Sequence, residues 1–321
     1  MSAQDIPLGI LLTDTVRRNH IKTNAVRCIA MFISIVVTVR NEEKRIGNLL
    51  DSLMVQEGPF EVVIVDAYSE DETCSIVNDY AEMYDNIFLH MKGGTRGVGR
   101  NYGVKKAKGE VVAFVDGDCI ANPLWLREIR TTFKEDKVDV VAGKTIMLGY
   151  APFAELDRVE LTKSGYDVTY PSCNLAYQRE LFQSILGFDP QFMTAEDIDL
   201  NFRAVSIGGK ITYREGAIIY AMARDTFAGF FKQAFWNGFG RKQLTLKHGR
   251  LWARYSFRKM IGGKINTWAM IRLFFGMLGY MVCKVHDNRE MFRLSDLERI
   301  EKLAKERVGP EDGDATGPQT S

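Results

Sequence analysis

The residues best suited to chemistry in this chain are carboxylates and arginines gathered at the ends of apolar runs. Asp116-Gly117-Asp118 closes the run Val111–Val115. Two carboxylates two positions apart around a glycine can share one divalent cation, or divide between a metal and a ribose. Mg2+ and Mn2+ favour such oxygen ligands, and Mg2+ typically takes one or two carboxylates plus substrate phosphates. A cation held there would neutralise a diphosphate leaving group. By itself a DxD is equally an acidic turn. Downstream, Thr194-Ala195-Glu196-Asp197-Ile198-Asp199 opens an amphipathic stretch with Ile198, Phe202 and Val205 on one face. Acidic residues in a first helical turn are favoured by the helix dipole alone. Asp197, with Glu196 beside it, is also a candidate general base, a group that must come within hydrogen-bond reach of an attacking hydroxyl.

A third candidate is the glycine-rich segment Gly93–Gly103, which carries Arg96, Arg100 and Asn101. Its glycines would let backbone approach a diphosphate, with Arg96 and Arg100 reaching the charge; a solvated basic loop is the alternative. The spacing G-x-G-x-x-x-G follows the third strand candidate and departs from G-x-G-x-x-G, so a dinucleotide fingerprint is poorly supported.

The elements that must position these groups are legible from periodicity. FISIVVTV, EVVIVDA, NIFLH, EVVAFVD and VDVVAG are β-rich runs of the length of buried strands. Between the first two, Ile46, Leu49, Leu50 and Leu53 form one helical face; between the next two, Ile76, Val77, Tyr80 and Ala81 do so. Asn122-Pro123 before WLREIRTTF predicts an N-cap followed by proline in the first turn. Strands alternating with helices give βαβ units and a mostly parallel sheet, in which ligands sit outside the carboxyl ends of the strands. Three such ends carry carboxylates here: Glu42-Glu43, Asp66 to Asp71, and Asp116 to Asp118.

Composition narrows the class further. The chain has 321 residues, 46% hydrophobic and 26% charged, with 28 glycines and 8 prolines, which excludes collagenous and wholly disordered chains. A net charge of +1 points to no nucleic-acid partner. The 5 cysteines are far apart in sequence and form no CxxC pair, which suits a reducing compartment and buried thiols acting as small hydrophobes. Residues 6–12 are apolar, but Asp5 precedes them and Arg17-Arg18 follows, the reverse of a signal peptide's charge order.

Taken together, these segments resemble family 2 of the inverting glycosyltransferases, on the GT-A fold. The resemblance runs through ISIVVTVRNEE, VIVDAYSEDET, GRNYGVKKAKGEVVAFVDGD, PSCNLAYQRELF and GFDPQFMTAEDIDLNFRAVSIGGKI, in that order, over about residues 32–245. It implies a Rossmann-like, mostly parallel sheet flanked by helices. It implies that Thr38, Val39 and Glu42 line a nucleoside pocket with Asp66 as the base-binding aspartate. Asp116 and Asp118 would hold ribose and metal-diphosphate, with Mg2+ or Mn2+ as cofactor. Asp197 would deprotonate the acceptor, with Glu196, Asn174 and Arg203 completing the motifs. Two features depart from the pattern. Where the family often has a histidine near the metal, Tyr220-Ala221 stands here, so the resemblance does not imply a third protein ligand. The Gln-x-x-Arg-Trp of processive synthases is missing around Gln233–Arg241, which disfavours a polymerase.

The expected organisation is an N-terminal extension (1–30), a catalytic domain (31–245), a basic helical segment (246–308) and a disordered tail (309–321). Residues 241–293 hold twelve Lys/Arg against two Asp/Glu. The apolar run Trp268–Lys284 within them is interrupted by Arg272 and falls short of the roughly twenty apolar residues a span needs. It reads as an interfacial helix on an anionic membrane surface, placing the domain peripherally or monotopically on the cytoplasmic face of the cell membrane. Packing of this run against the catalytic domain is the competing reading. Ser295-x-x-Glu298 predicts a capped final helix. The expected activity is transfer of a sugar from a UDP- or GDP-linked donor to a lipid-linked or saccharide acceptor. A nucleotidyltransferase is disfavoured because RNEEKRI replaces a glycine-rich basic loop after the first strand. A catalytically silent, membrane-tethered binding module is disfavoured by the joint presence of Asp66, Asp116, Asp118 and Asp197.

Overall fold

The computed structural model describes residues 31–149, 159–222, 226–249, 251 and 267–285. The expected N-terminal extension, the capping box at Ser295 and the expected tail lie outside them. The first four strand candidates form β1 (Ile33–Val39), β2 (Phe60–Asp66), β3 (Ile87–Met91) and β4 (Val111–Asp116). They are followed by β5 (Cys119–Ala121), β6 (Val140–Leu148), β7 (Thr162–Lys163), β8 (Tyr166–Asp167), β9 (Leu175–Gln178) and β10 (Ile211–Met222). Strands β7 and β8 make a small separate ribbon. The other eight form one sheet in the order β3-β2-β1-β4-β9-β6-β10-β5. Its β3-β2-β1-β4 half and the β6–β10 pair are parallel, while β9 and β5 run antiparallel to their neighbours.

Both faces of the sheet are buried, which is why the strands read as continuous apolar runs. Along β1, Ile33, Ile35, Val37 and Val39 enter one core cluster and Val36 the other; along β4, Val111, Ala113 and Val115 oppose Val112 and Phe114. The first face is covered by α1 (Ile46–Met54), α2 (Thr73–Met83) and α4 (Trp125–Glu135). Helix α1 buries Ile46, Leu49, Leu50 and Leu53, the face its spacing predicts. The second face is covered by α3 (Arg96–Lys106), α5 (Arg179–Ser184) and α6 (Glu196–Ser206). Asn122 caps a preceding turn and not the helix itself. Its Oδ1 accepts from Leu124 N–H at 3.0 Å, and α4 begins only at Trp125.

The glycine-rich segment is not a loop over phosphates. Most of it is α3, and its glycines are a packing face. A Cβ on Gly99 would stand 2.9 Å from Thr38 Cγ2, and one on Gly103 2.5 Å from Val36 Cγ1. Glycines four apart lie on one helical face, so α3 can lie directly on β1.

Two long helices complete the described structure, α7 (Phe227–His248) and α8 (Thr267–Val285). They pack through Phe227 on Trp268 and Phe231 on Phe275, with ring centroids 5.4 and 4.5 Å apart. The boundary expected between residues 245 and 246 therefore falls inside α7. Among the described residues, no helix is long and apolar enough to cross a membrane.

Candidate active site

Sheet register assembles the site. Thr38 near the end of β1 pairs with Asp116 at the end of β4, and Val39 pairs with Asp66 at the end of β2. Strand order reverses between β1 and β4, the place where open α/β sheets hold ligands. A cleft of about 1550 Å³ opens there, lined by Thr38, Val39, Glu42, Asp116, Asp118 and Asp197. Exposed Arg96, at the start of α3, also faces it, as do Arg100 and Glu196.

Arg100 does not stand ready for a diphosphate. Its side chain is 1% exposed and bridges two carboxylates, Asp116 at 2.7 Å and Glu196 at 2.8 Å. The close packing of α3 on β1 puts it there, and the paired charges favour its cationic form against the cost of burial. Arg100 thereby ties the DxD strand to the helix that carries Asp197.

Asp197 is the perturbed acid of the site. Burial pushes its carboxyl up to about 6, and the neighbouring Glu196 adds to the rise. Arg100 and the N–H groups of Ile198 (2.8 Å) and Ser172 (3.3 Å) pull the other way. Ala195, just before α6, holds a left-handed φ of 62°. Such strain in a non-glycine residue persists only where its surroundings enforce it.

Four of the expected site residues are held by protein partners in the structure. Asp66 is fully buried behind the cleft wall; its carboxylate accepts from Ser69 N–H (2.6 Å), Ser69 Oγ–H (2.5 Å) and the Cys74 thiol. Asn101 clamps the backbone of Phe188, donating to its carbonyl at 2.7 Å and accepting from its N–H at 2.8 Å. Asn174 accepts from Trp125 Nε1 and donates to the carbonyls of Lys144 and Ala217, each at 2.9 Å. Arg203 donates to Asp199 at 2.8 Å and to the carbonyls of Ile185 and Gly187. In each case burial obliges the polar group to find protein partners.

Sequence reasoning missed Asp199 as a hub. It also receives Lys247 at 3.0 Å and His248 at 2.7 Å, while Lys247 reaches Asp189 at 2.5 Å. Burial alone would raise the Asp199 carboxyl, but Arg203, Lys247 and His248 hold it well below its usual range. The hub fastens the end of α7 to α6. Also unforeseen was the contribution of α7 and α8 to the cleft, through Phe230, Ala234, Arg241, Leu273 and Met277. The basic composition of this region drew attention to its charge and not to those side chains.

A strand-end carboxylate pair and a half-buried aspartate share one cleft of a mixed, mostly parallel sheet, the architecture of a GT-A fold. The model of the family described as "Glycosyl transferase family 2" matches residues 34–186, just under half of the chain. The chain is 27% identical over 230 residues to glycosyltransferase AglE of Haloferax volcanii, covering 67% of this chain and 74% of that protein. It is 37% identical over 119 residues to the poly(ribitol-phosphate) β-N-acetylglucosaminyltransferase TarS of Staphylococcus aureus, covering 36% of this chain but 21% of TarS. The crystal structure of S. aureus TarS 1–349 with UDP superposes with a TM-score of 0.53 at 22% identity, covering 86% of this chain and 90% of that one. Mannosyltransferase PcManGT from Pyrobaculum calidifontis, with GDP-Man and Mn2+, gives 0.54 at 17% identity, covering 87% and 81%.

Proposed function

We propose that this chain is an inverting transferase that moves a sugar from a UDP- or GDP-linked donor to a membrane-proximal acceptor, with Asp197 as the base. The observation that carries the reading is the placement of Asp118 and Asp197 on one cleft, with Asp197 poised near pH 6. UDP in TarS and GDP-Man in PcManGT support a nucleotide-sugar donor.

Thr38, Val39 and Glu42 would receive the nucleoside and Arg96 the diphosphate. The oxygen donors Asp116 and Asp118, both half-buried on the cleft, fit a hard divalent cation. Among the described residues no group of three protein ligands stands together, so substrate and water would complete its shell, the usual arrangement for Mg2+. Bound there, the cation would stabilise charge on the departing diphosphate. Asp197 would take the acceptor's hydroxyl proton while that oxygen bonds the anomeric carbon and the carbon–diphosphate bond breaks on the opposite face. Calorimetry with UDP and MnCl2 checks the donor half: Asp118→Ala should weaken metal-dependent affinity at least tenfold, roughly 1.4 kcal/mol, without lowering the unfolding midpoint. Unchanged affinity would remove Asp118 from the site.

The acceptor side is supported by α8. Met270, Leu273, Phe274, Met277 and Met281 form an exposed apolar stripe, and several of them also line the cleft. An apolar stripe within a basic segment suits a helix lying in an anionic interface, where each basic residue near the surface adds about 1 kcal/mol. An acceptor with an apolar chain could then reach Asp197 along the same wall. Full-length protein should cosediment with phosphatidylserine-containing vesicles at low salt, and high salt should release only part of it. Protein left in the supernatant would contradict the membrane half of the proposal alone.

A further inference from the structure

The segment that steadies Asp197 also carries an aromatic ring into the same cleft. Asp197 and Asn201 stand four apart on α6 and share one helical face. Residues 168–172 are held along that face. Asn201 donates to the carbonyls of Val168 and Tyr170, each at 3.1 Å, and Ser172 N–H donates to Asp197 at 3.3 Å. Tyr170 is thus fixed two positions from the amide that touches the base. Its ring stacks on that of Tyr213, on β10, with centroids 5.7 Å apart and planes 13° from parallel. Both tyrosines line the cleft.

The two rings have different surroundings. Tyr170 is half-buried and packs against the core of the second sheet face, whereas Tyr213 is 47% exposed. Tyr213 is therefore not filling the core, yet the stack holds its ring in one orientation. Polar groups stand beside it. Tyr213 pairs with Ala142 across the β6–β10 ladder, and two positions further along β6, on the same face, comes Lys144. Lys144 also lines the cleft, with its ammonium 2.7 Å from Glu215.

We infer that Tyr213, backed by Tyr170, is a stacking subsite for a sugar ring of the acceptor, which is a saccharide or carries one beside the reacting hydroxyl. A pyranose presents a face of C–H groups and a rim of hydroxyls. The C–H face meets the electron-rich face of the tyrosine ring, and the rim meets Lys144 and Glu215. Tyrosine gives a large, rigid, amphipathic contact for little loss of side-chain freedom, and the stack on Tyr170 has already taken part of that loss. An acyl chain finds its counterpart elsewhere, in the exposed methionines and Phe274 of α8. The inference rests on the transferase reading, since a sugar stacked there is an acceptor only if Asp197 takes its proton.

The probes are the methyl glycosides of glucose, N-acetylglucosamine, galactose and mannose, added singly to full-length protein with UDP and MnCl2. Saturation-transfer NMR should show at least one of them receiving magnetisation at its ring C–H protons, and titration gives its Kd. Tyr213→Ala should weaken that binding about tenfold. Tyr213→Leu, apolar but without a flat face, should weaken it as much, while Tyr213→Phe keeps the ring and the affinity. UDP affinity and the unfolding midpoint should stay at the parent's values in all three. No transfer to any glycoside, equal binding by Tyr213→Ala, or equal weakening by Tyr213→Phe overturns the subsite. A parent that binds a glycoside through Tyr213 but binds no nucleotide would keep the subsite and contradict the transferase reading.

Discussion

Asp197→Asn lowers turnover by about 10²–10⁴-fold, the usual contribution of a general base, while nucleotide affinity stays near that of the parent. Asparagine keeps the size of the side chain but has one accepting oxygen, so it retains acceptance from only one of the Ile198 and Ser172 N–H groups, which donate to different carboxylate oxygens; the larger loss falls on proton transfer. The parent should also show its own signature in pH. The active form of Asp197 is the carboxylate, and burial with Glu196 places its titration near 6. The rate at limiting donor therefore climbs with pH up to about 6 and levels above it. Glu196→Gln provides the contrast. Glu196 is ion-paired to Arg100, and its neutralisation relieves Asp197 of a neighbouring charge, moving the acid limb to lower pH. An inactive Glu196→Gln beside a near-normal Asp197→Asn would transfer the base to residue 196.

Arg100→Met is expected to be the most damaging single change to the frame of the site. It leaves Glu196 buried and Asp116 half-buried without the cation between them. Removing one partner of a buried ion pair costs about 3–5 kcal/mol, with the lower end expected because water reaches Asp116. The variant also changes the pH profile in a direction that a purely structural fault would not. Arg100 is the cation that draws Asp197 downward, against burial and Glu196. Without it only the Ile198 and Ser172 N–H groups oppose the raising influences, and the acid limb of activity moves above pH 6. Chemical denaturation reads the first effect and a rate–pH series the second. A destabilised variant whose acid limb has not moved would leave Arg100 a structural role only.

Much of the fold was legible because burial writes a period into sequence. Both faces of β1 and β4 are covered, so ISIVVTV and VVAFVD read as apolar throughout; α1 has one covered face, and its leucines recur accordingly. The carboxylates were legible from their place at strand ends, since parallel register carries those ends to one edge. Asn101, Asn174 and Arg203 were not. A polar side chain that touches substrate and one that satisfies buried backbone look alike in sequence. What separates them is tertiary: the partners of Asn174 lie 30, 43 and 49 positions away. The glycines of residues 97–103 failed for a related reason. Approach of a phosphate to backbone and approach of a helix to a strand both require a missing Cβ, and only the structure shows Thr38 and Val36 filling that space.

The most direct test of the central claim is a panel of UDP- and GDP-sugars incubated with full-length protein, Mn2+ and anionic vesicles, with release of nucleoside diphosphate measured for the parent and for Asp197→Asn. The parent should release nucleoside diphosphate from at least one donor in a metal-dependent manner, and Asp197→Asn should bind that donor but release at least a hundredfold less. Binding of a donor with equal release by both proteins, or failure of the parent to bind any member of the panel, would contradict it.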